Sequence, residues 1–176
     1  MSILKVNQIQ TANGVIMANL NSSGANIGFQ LASTLAPAFS AYAQGNQSVS
    51  NNTWTKVALA YEEFDTNNNF NTTLYRFLPT VAGYYQINGQ IGGNATVTNP
   101  TMVQVAIYKN GAEYKKYITT GNSIDYQMGI VSSIVYLNGS TDYVELYGYL
   151  RSTSAVISGE SSYVITWMNG AMVRSA

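Results

Sequence analysis

Acidic side chains are the first candidates for catalysis, because the chain contains no histidine and no cysteine. That composition excludes thiol chemistry, His-dependent triads and the common zinc sites. Glu62 and Glu63 are adjacent, and Asp142 lies close to Glu145. Glycoside hydrolysis needs two carboxylates about 5–9.5 Å apart across a cleft, whereas neighbouring residues of a strand point to opposite faces. We interpret these residues as solvated strand ends and expect neither an enzyme nor a cofactor.

The stretch that begins at Asp65 starts like a calcium-binding loop, with Asn67 and Asn69 at alternate positions. The EF-hand pattern then requires glycine at its sixth position and glutamate at its twelfth. Phe70 and Arg76 occupy those two positions. We therefore interpret Asp65 as a turn residue and expect no metal ion there.

Polar loops rich in tyrosine and asparagine are the candidates for molecular recognition. Tyrosine supplies rigid amphipathic area, and asparagine supplies adaptable hydrogen bonds. Residues 94–101, 121–127 and 151–159 form such loops, although ordinary polar loops that bind nothing remain the alternative for most of them. The individual ligand-binding candidates are Tyr126, Arg151, Ser152, Thr153 and Ser154.

Charge is scarce and balanced: eight Lys and Arg face eight Asp and Glu, and the formal net charge is +0. Nucleic-acid binding depends on clustered Lys and Arg, so nucleic acid is not an expected partner. A chain with 9% charged residues and 14 tyrosines associates readily, which favours a component of an assembly. We find neither an apolar run of roughly 18 residues nor a signal-peptide core, and expect cytoplasmic synthesis without membrane insertion.

Two parts of the chain, which meet near Pro37, must position these residues. Residues 1–36 carry Lys5 as their only charged side chain and have too few aliphatic residues for a core, which predicts a short extended arm. The arm would attach the chain to a partner or thread along a trimer axis, through Leu4, Val6 and Ile9.

Residues 37–176 consist of short alternating runs separated by turn residues, which predicts an all-β antiparallel sandwich or jelly roll. Residues 83–91 and 102–108 alternate apolar and polar side chains, and the second run meets a turn at residues 110–111. Residues 130–137 are apolar on both faces, as in a strand at the centre of an assembly. Residues 163–168 are predicted to form the last long strand.

This part contains a spaced set of six residues: Leu59, Asp65, Phe70, Phe77, Gly83 and Tyr85. In order and spacing the set resembles the globular head of complement component 1q, a relative of the tumour necrosis factor jelly roll. Those heads usually have phenylalanine at the first position, where this chain has leucine. The aromatic members would fill the space between two sheets, and the glycine would begin a strand with φ above zero.

The resemblance implies a jelly-roll head that assembles as a homotrimer. Burial against two further copies would explain strands that are apolar on both faces. Some heads of this type bind calcium near the trimer apex, through the loop that corresponds here to residues 151–160. Only Glu160 is acidic in that loop, so we do not expect the calcium site to be inherited.

The arm resembles the opening of bacteriophage fibre and structural proteins, cyanophage proteins especially, over residues 3–14. Together the two resemblances imply a non-enzymatic, trimeric virion fibre or spike. Its head would bind a host surface receptor or glycan, and its arm would contact other virion proteins. The alternatives are a capsid decoration or head-fibre protein with a stabilising role, and a secreted binding module of the complement 1q type.

Overall fold

All regular structure in the described part of the chain is β-strand. A computed structural model describes residues 8–10, 16–19, 36–94, 100–121, 126–159 and 164–176, with the backbone alone at residues 8–10, 16–19, 94 and 126. The chain divides into two compact units, Met1–Ala36 and Pro37–Ala176.

The first unit contains a short antiparallel hairpin. Strand β1 (Gln8–Gln10) pairs with β2 (Ile16–Asn19), with a register shift between Ile9 and Gln10. The arm therefore folds back on itself between residues 8 and 19. Ile9 contributes its backbone to β1, and the other two attachment candidates, Leu4 and Val6, lie outside the described residues.

The second unit contains two antiparallel sheets. Sheet I has the order β11-β10-β13-β8-β7, and β5 also pairs with β13. Sheet II has the order β4-β14-β9-β15-β3-β6, and β12 also pairs with β9. The predicted antiparallel sandwich is confirmed. The strands are β3 (Ala38–Tyr42), β4 (Gln47–Ser48), β5 (Thr55–Lys56), β6 (Tyr61–Asp65), β7 (Phe70–Asn71), β8 (Arg76–Phe77), β9 (Gly83–Asn94), β10 (Met102–Lys109), β11 (Ala112–Thr120), β12 (Tyr126–Leu137), β13 (Val144–Arg151), β14 (Val156–Ile157) and β15 (Trp167–Ser175).

Aromatic rings fill one end of the core between the two sheets. Phe39 of sheet II stacks on Phe77 and Phe70 of sheet I, with ring centroids 4.2 and 5.2 Å apart. Tyr85 meets Phe77 edge-on at 5.6 Å, and its hydroxyl donates a 2.6 Å hydrogen bond to the Val81 carbonyl. Three of these rings belong to the six-residue complement 1q spacing, while Phe39 was not singled out in the sequence.

The alternation predicted for the two long runs is present. Tyr85, Ile87 and Ile91 of β9 are fully buried in the core, as are the apolar residues at alternate positions of β10. The hairpin between β10 and β11 turns at Asn110 and Gly111, with φ of 52° and 78°. Both values lie in the left-handed region that asparagine and glycine tolerate, which explains why these two residues occupy the turn.

The prediction for the last strand is wrong in its position. Strand β15 begins at Trp167 and continues to Ser175, whereas residues 164–166 are not in a strand and Tyr163 lies outside the described residues. Alternation of apolar residues fixes the face of a strand but not its ends, which depend on the partners β3 and β9.

Gly83 is required for a different reason from the one predicted. Its φ is not positive, and it opens β9 in extended conformation. A Cβ atom at this position would lie 2.5 Å from the carbonyl oxygen of Arg174 on the neighbouring strand β15. The expectation of a left-handed turn is therefore wrong: the position needs glycine because two backbones approach closely.

We expect the aromatic contact between the sheets to dominate stability. Replacing Phe77 by alanine should lower the free energy of unfolding by about 3–5 kcal/mol, because it removes a fully buried ring and leaves a cavity. The control is Phe64→Ala on β6, where the ring is 49% exposed and the loss should stay within about 0.5 kcal/mol. Denaturant unfolding of both variants measures the difference, and equal losses would contradict the assignment.

Candidate recognition surfaces

The outward face of sheet II is apolar on β12. Of the strands that the structure describes, β9 is the only one that pairs with β12, so β12 forms an edge of the sheet within one chain. Val131, Val135 and Leu137 face the core, whereas Ile130 and Ile134 on the opposite face are each 53% exposed. The strand is thus apolar on both faces, as the sequence indicated, but the chain itself covers only one of them.

Further apolar side chains extend this surface at the end of sheet II that contains the C-terminus. Tyr84 and Tyr136 are cross-strand partners whose rings lie 5.4 Å apart, and both are more than 40% exposed. Together with Ile134 and Val173 they line an open cavity of about 690 Å³. We call this surface, comprising Met128, Ile130, Ile134, Tyr136, Tyr84 and Val173, the apolar face.

A row of polar side chains crosses the apolar face at one register position. Asn169, Asn88 and Ser132 are neighbours on β15, β9 and β12. Asn88 donates to the Asn169 side-chain oxygen at 3.0 Å and accepts from the Ser132 hydroxyl at 2.8 Å. Gln86 donates to both Asn88 and Ser132, at 3.0 and 2.8 Å. Because these groups bond to one another, another molecule can cover them without leaving all of them unpaired.

The edge strand β11 has exposed apolar side chains on both of its faces. Tyr114, Tyr117 and Ile118 are between 41% and 51% exposed. β11 pairs with β10 on one side and lies at the end of sheet I. Large apolar residues on an unpaired strand edge mark a site of association.

The ligand-binding candidates at the end of β13 meet around a cavity of about 290 Å³. Its walls are Arg151, Ser152 and Thr153, joined by Asn51 and Thr101. Ser154 lies beside them and donates its backbone N–H to the Ser152 hydroxyl at 3.3 Å. The remaining candidate, Tyr126, starts β12 with its backbone, and its side chain lies outside the described residues.

An aromatic strip on the outward face of sheet I was missed in the sequence. Tyr108 of β10 stacks on Tyr147 of β13 with centroids 3.9 Å apart. Trp54, just before β5, lies 6.1 Å from Tyr108 and 5.6 Å from Tyr149. Alternation would have placed the three tyrosines on one face of two strands. The pairing of β10 with β13, and of β13 with β5 beside Trp54, depends on the tertiary structure.

The interpretation of the acidic residues as solvated strand ends is confirmed for Glu62 and Glu63, which are exposed, and is wrong for Glu145, which is buried. Glu145 is 3% exposed on the outward face of sheet I and pairs with Lys56 at 2.6 Å. Glu63 accepts a 2.7 Å hydrogen bond from the Ser40 hydroxyl. Glu62 faces a cavity of about 450 Å³ that also contains Arg76, and desolvation together with nearby Asp65 raises the pKa of its carboxyl.

Asp65 closes a tight turn. Its two carboxylate oxygens accept backbone N–H groups of Asn67 at 3.2 Å and Phe70 at 2.6 Å. Among the residues that the structure describes, no three acidic, histidine or cysteine side chains are grouped so that they could hold a metal ion. The same residues include no helix long and apolar enough to cross a membrane.

Comparison with known proteins identifies solved structures that have a similar fold. No protein-family model and no curated protein matches the sequence. Among solved structures, the globular domain of zebrafish complement 1qA protein is similar with a TM-score of 0.60 and 12% identity, over 80% of this chain and 99% of that one. Murine APRIL is similar with a TM-score of 0.60 and 10% identity, over 78% and 99% of the two chains. Eiger TNF from S. frugiperda is similar with a TM-score of 0.58 and 11% identity, over 81% and 94%.

The chain therefore has the jelly-roll fold of complement 1q globular domains and tumour necrosis factor proteins. The fold expected from the six spaced residues is confirmed. At 10–12% identity the likeness concerns the fold, and the surfaces described above carry the argument about function.

Asp142 offers a test of the loop between β12 and β13. It pairs with Lys109 at 2.9 Å and accepts from the Asn110 side chain at 2.7 Å and the Asn138 backbone at 3.2 Å. The hydrogen bonds from Asn110 and Lys109 lower the pKa of this carboxyl below its ordinary value of 3.8. The stabilisation is therefore complete above the unfolded pKa and is lost as the pH falls through the folded one.

We expect Asp142→Asn to reduce the free energy of unfolding by about 1 kcal/mol at pH 7. The difference in free energy of unfolding between the variant and the wild type should become smaller below the ordinary pKa of 3.8, because the wild-type carboxyl then also becomes protonated. Urea unfolding of both proteins at pH 7 and at pH 3 measures this difference. Glu113→Gln, which breaks the exposed pair with Lys116, is the control and should change little at either pH. A gap of equal size at both pH values would refute the role of the charge.

Proposed function

We propose that this chain is a homotrimeric, non-enzymatic binding module whose head is formed by residues 37–176. The observation that carries the proposal is the apolar face. Ile130 and Ile134 are half exposed in one chain, and a contiguous apolar surface of this kind marks an interface between proteins. The resemblance to complement 1q heads supports a second and third copy of the chain as the occupants of this face.

The arrangement of the two apolar surfaces supports a ring. The apolar face lies on sheet II, whereas the exposed residues Tyr114, Tyr117 and Ile118 lie on the edge strand β11 of sheet I. Contact between two different surfaces of identical chains is heterologous, and it closes into a ring when the rotation permits. Packing the edge of one chain on the face of the next would cover both surfaces in every copy.

The polar row across the apolar face fits burial in such an interface. Gln86, Asn88, Ser132 and Asn169 bond to one another within one chain, so covering them costs less than covering isolated amides. Polar groups inside an apolar interface favour one register over others. We therefore propose that contacts at the polar row set the register in which the three chains pack against one another.

The trimer is tested by placing a charge on the apolar face. Ile134→Lys should convert the trimer to monomers or weaken association at least a hundredfold, because each interface would bury an unpaired ammonium group. The control is Leu74→Lys, a similar change at an exposed residue in the turn between β7 and β8 that should leave the trimer intact. Sedimentation and light scattering measure the mass, and circular dichroism verifies that both variants fold. A wild-type monomer at micromolar concentration would overturn the proposal.

We further propose that the trimer is a virion fibre or spike, made in the host cytoplasm and released with the particle. The phage-like residues 3–14 and the low charge support this location. In this role the head binds a host surface glycan or receptor, and three identical heads add avidity to weak single contacts. A capsid decoration protein and a secreted module of the same fold are the alternatives.

Localisation on purified particles separates these roles. An antibody raised against residues 37–176 should label the fibre tip if the head binds the host. A chain lacking residues 1–36 should still form the trimeric head and should no longer be incorporated into particles. Label spread over the capsid would favour decoration, and label on no particle would contradict a virion role. Unchanged incorporation without the arm would contradict its role in attachment.

A further inference from the structure

Among the described residues, Arg151 has no carboxylate partner. Lys56, Lys109 and Lys116 pair with acidic side chains at 2.6, 2.9 and 3.0 Å. Within the described ranges, no carboxylate lies within 4 Å of the Arg151 guanidinium. Its Nε donates a 3.4 Å hydrogen bond to the Asn52 side chain, and its two terminal nitrogens donate none to the described residues. A guanidinium held in this way has one edge of its fork open for a ligand.

The open edge belongs to a cavity with fixed walls. Asn51 accepts the Ser152 backbone N–H at 3.1 Å, and the Asn52 backbone N–H donates to Leu150 at 2.9 Å, so the turn before β5 is attached to β13. On the other side the Thr101 backbone donates to the Arg151 carbonyl at 2.9 Å. The cavity of about 290 Å³ lies near the lower limit of the roughly 300–1,000 Å³ common for small-molecule sites.

The charged groups of this cavity differ from those of the cavity lined by Glu62 and Arg76. Among the residues that the structure describes, its lining includes one guanidinium, an amide and hydroxyl groups, and no acidic side chain. The cavity of about 450 Å³ at the other site contains Arg76 together with Glu62, so charges of both signs face each other there. The smaller cavity is therefore complementary to a single negative charge.

An aromatic surface begins beside the guanidinium. The Asn52 side-chain oxygen accepts both the Arg151 Nε–H and the Tyr149 hydroxyl, the latter at 3.1 Å. Trp54 lies 5.6 Å from the Tyr149 ring, and both rings are only half buried. One amide thus fixes a cation and an aromatic ring as neighbours on the same surface.

We propose that this surface binds a saccharide that carries a carboxylate, such as a sialic or uronic acid residue. The guanidinium would bind the carboxylate through its two terminal nitrogens. The exposed parts of Trp54 and Tyr149 would contact the apolar C–H groups of the sugar, while the Asn51 amide and the Thr153 hydroxyl would bond its hydroxyls. A polyanion would require several clustered cations, whereas Arg151 is the one cation among the described residues that line the cavity.

The inference rests on the proposed function as a binding module, and it names the ligand class and the site. A single shallow site of this kind binds weakly. Three copies in a trimer would raise the affinity for a multivalent glycan surface without any new contact.

The test uses the full-length protein and isothermal titration calorimetry with four probes. Sialyllactose and digalacturonate carry carboxylates, and lactose and chitobiose are the neutral comparisons. We expect at least one carboxylated probe to bind at least tenfold more tightly than the neutral ones, and the two carboxylated probes distinguish the sources of the acidic sugar. Arg151→Gln should weaken that binding about tenfold to a hundredfold, because it removes a charge-assisted hydrogen-bonded pair.

Arg76→Gln is the matched control, since it removes the same charge from the same sheet. It should leave saccharide binding unchanged. Arg151→Lys keeps the positive charge but loses the bidentate guanidinium, and it should bind the carboxylated sugar with intermediate affinity. This variant also provides the test if Arg151→Gln does not fold. Equal binding of neutral and carboxylated probes, equal losses at Arg76 and Arg151, or no binding of carboxylated probes at millimolar concentration would overturn the inference.

Sedimentation of the same samples separates this inference from the proposed trimer. A trimer that binds no carboxylated sugar overturns the inference and leaves the trimer standing. A monomer whose binding of the sugar depends on Arg151 overturns the trimer and supports the inference.

Discussion

The stacking of Phe39 on Phe77, with 4.2 Å between ring centroids, is the contact on which the arrangement of the two sheets depends. One ring belongs to β3 of sheet II and the other to β8 of sheet I, so the pair sets the distance between the sheets. Tyr85 completes the cluster and fixes the face of β9 that points inward. Because side chains alternate along a strand, the opposite face of β9 must then point outward with the polar row.

Scarcity of charge shapes the remaining surface. Three ion pairs use three of the lysines, and Glu145 is buried under Lys56 on the outward face of sheet I. Hydrogen bonds among amides and hydroxyls supply polar side-chain contacts that ion pairs supply on most proteins, as in the row of Asn169, Asn88 and Ser132. Arg151 differs from the paired lysines in that its side chain is bonded to Asn52 through Nε and lines a cavity with amide and hydroxyl groups.

Much of the fold could be predicted from the sequence because alternation and turn residues act locally. The buried face of β10 and the turn at Asn110 and Gly111 follow from side chains a few residues apart. Predictions that needed a partner strand were wrong or missing. Gly83 faces the backbone of β15 rather than adopting a positive φ, and the start of that strand at Trp167 depends on pairing. Phe39 could not be chosen, since one aromatic residue in a short strand does not show which ring it will stack on.

The sequence by itself determined an all-β chain without thiol or imidazole chemistry, a low content of charged residues, and the buried face of the strands that alternate apolar and polar side chains. It also named Arg151, Ser152 and Thr153 as neighbours along the chain. Only the tertiary structure placed them in one cavity with Asn51 and Thr101, which are about 50–100 residues away. The physical reason is that alternation specifies the face of each strand, whereas the order of strands in a sheet results from packing among distant segments.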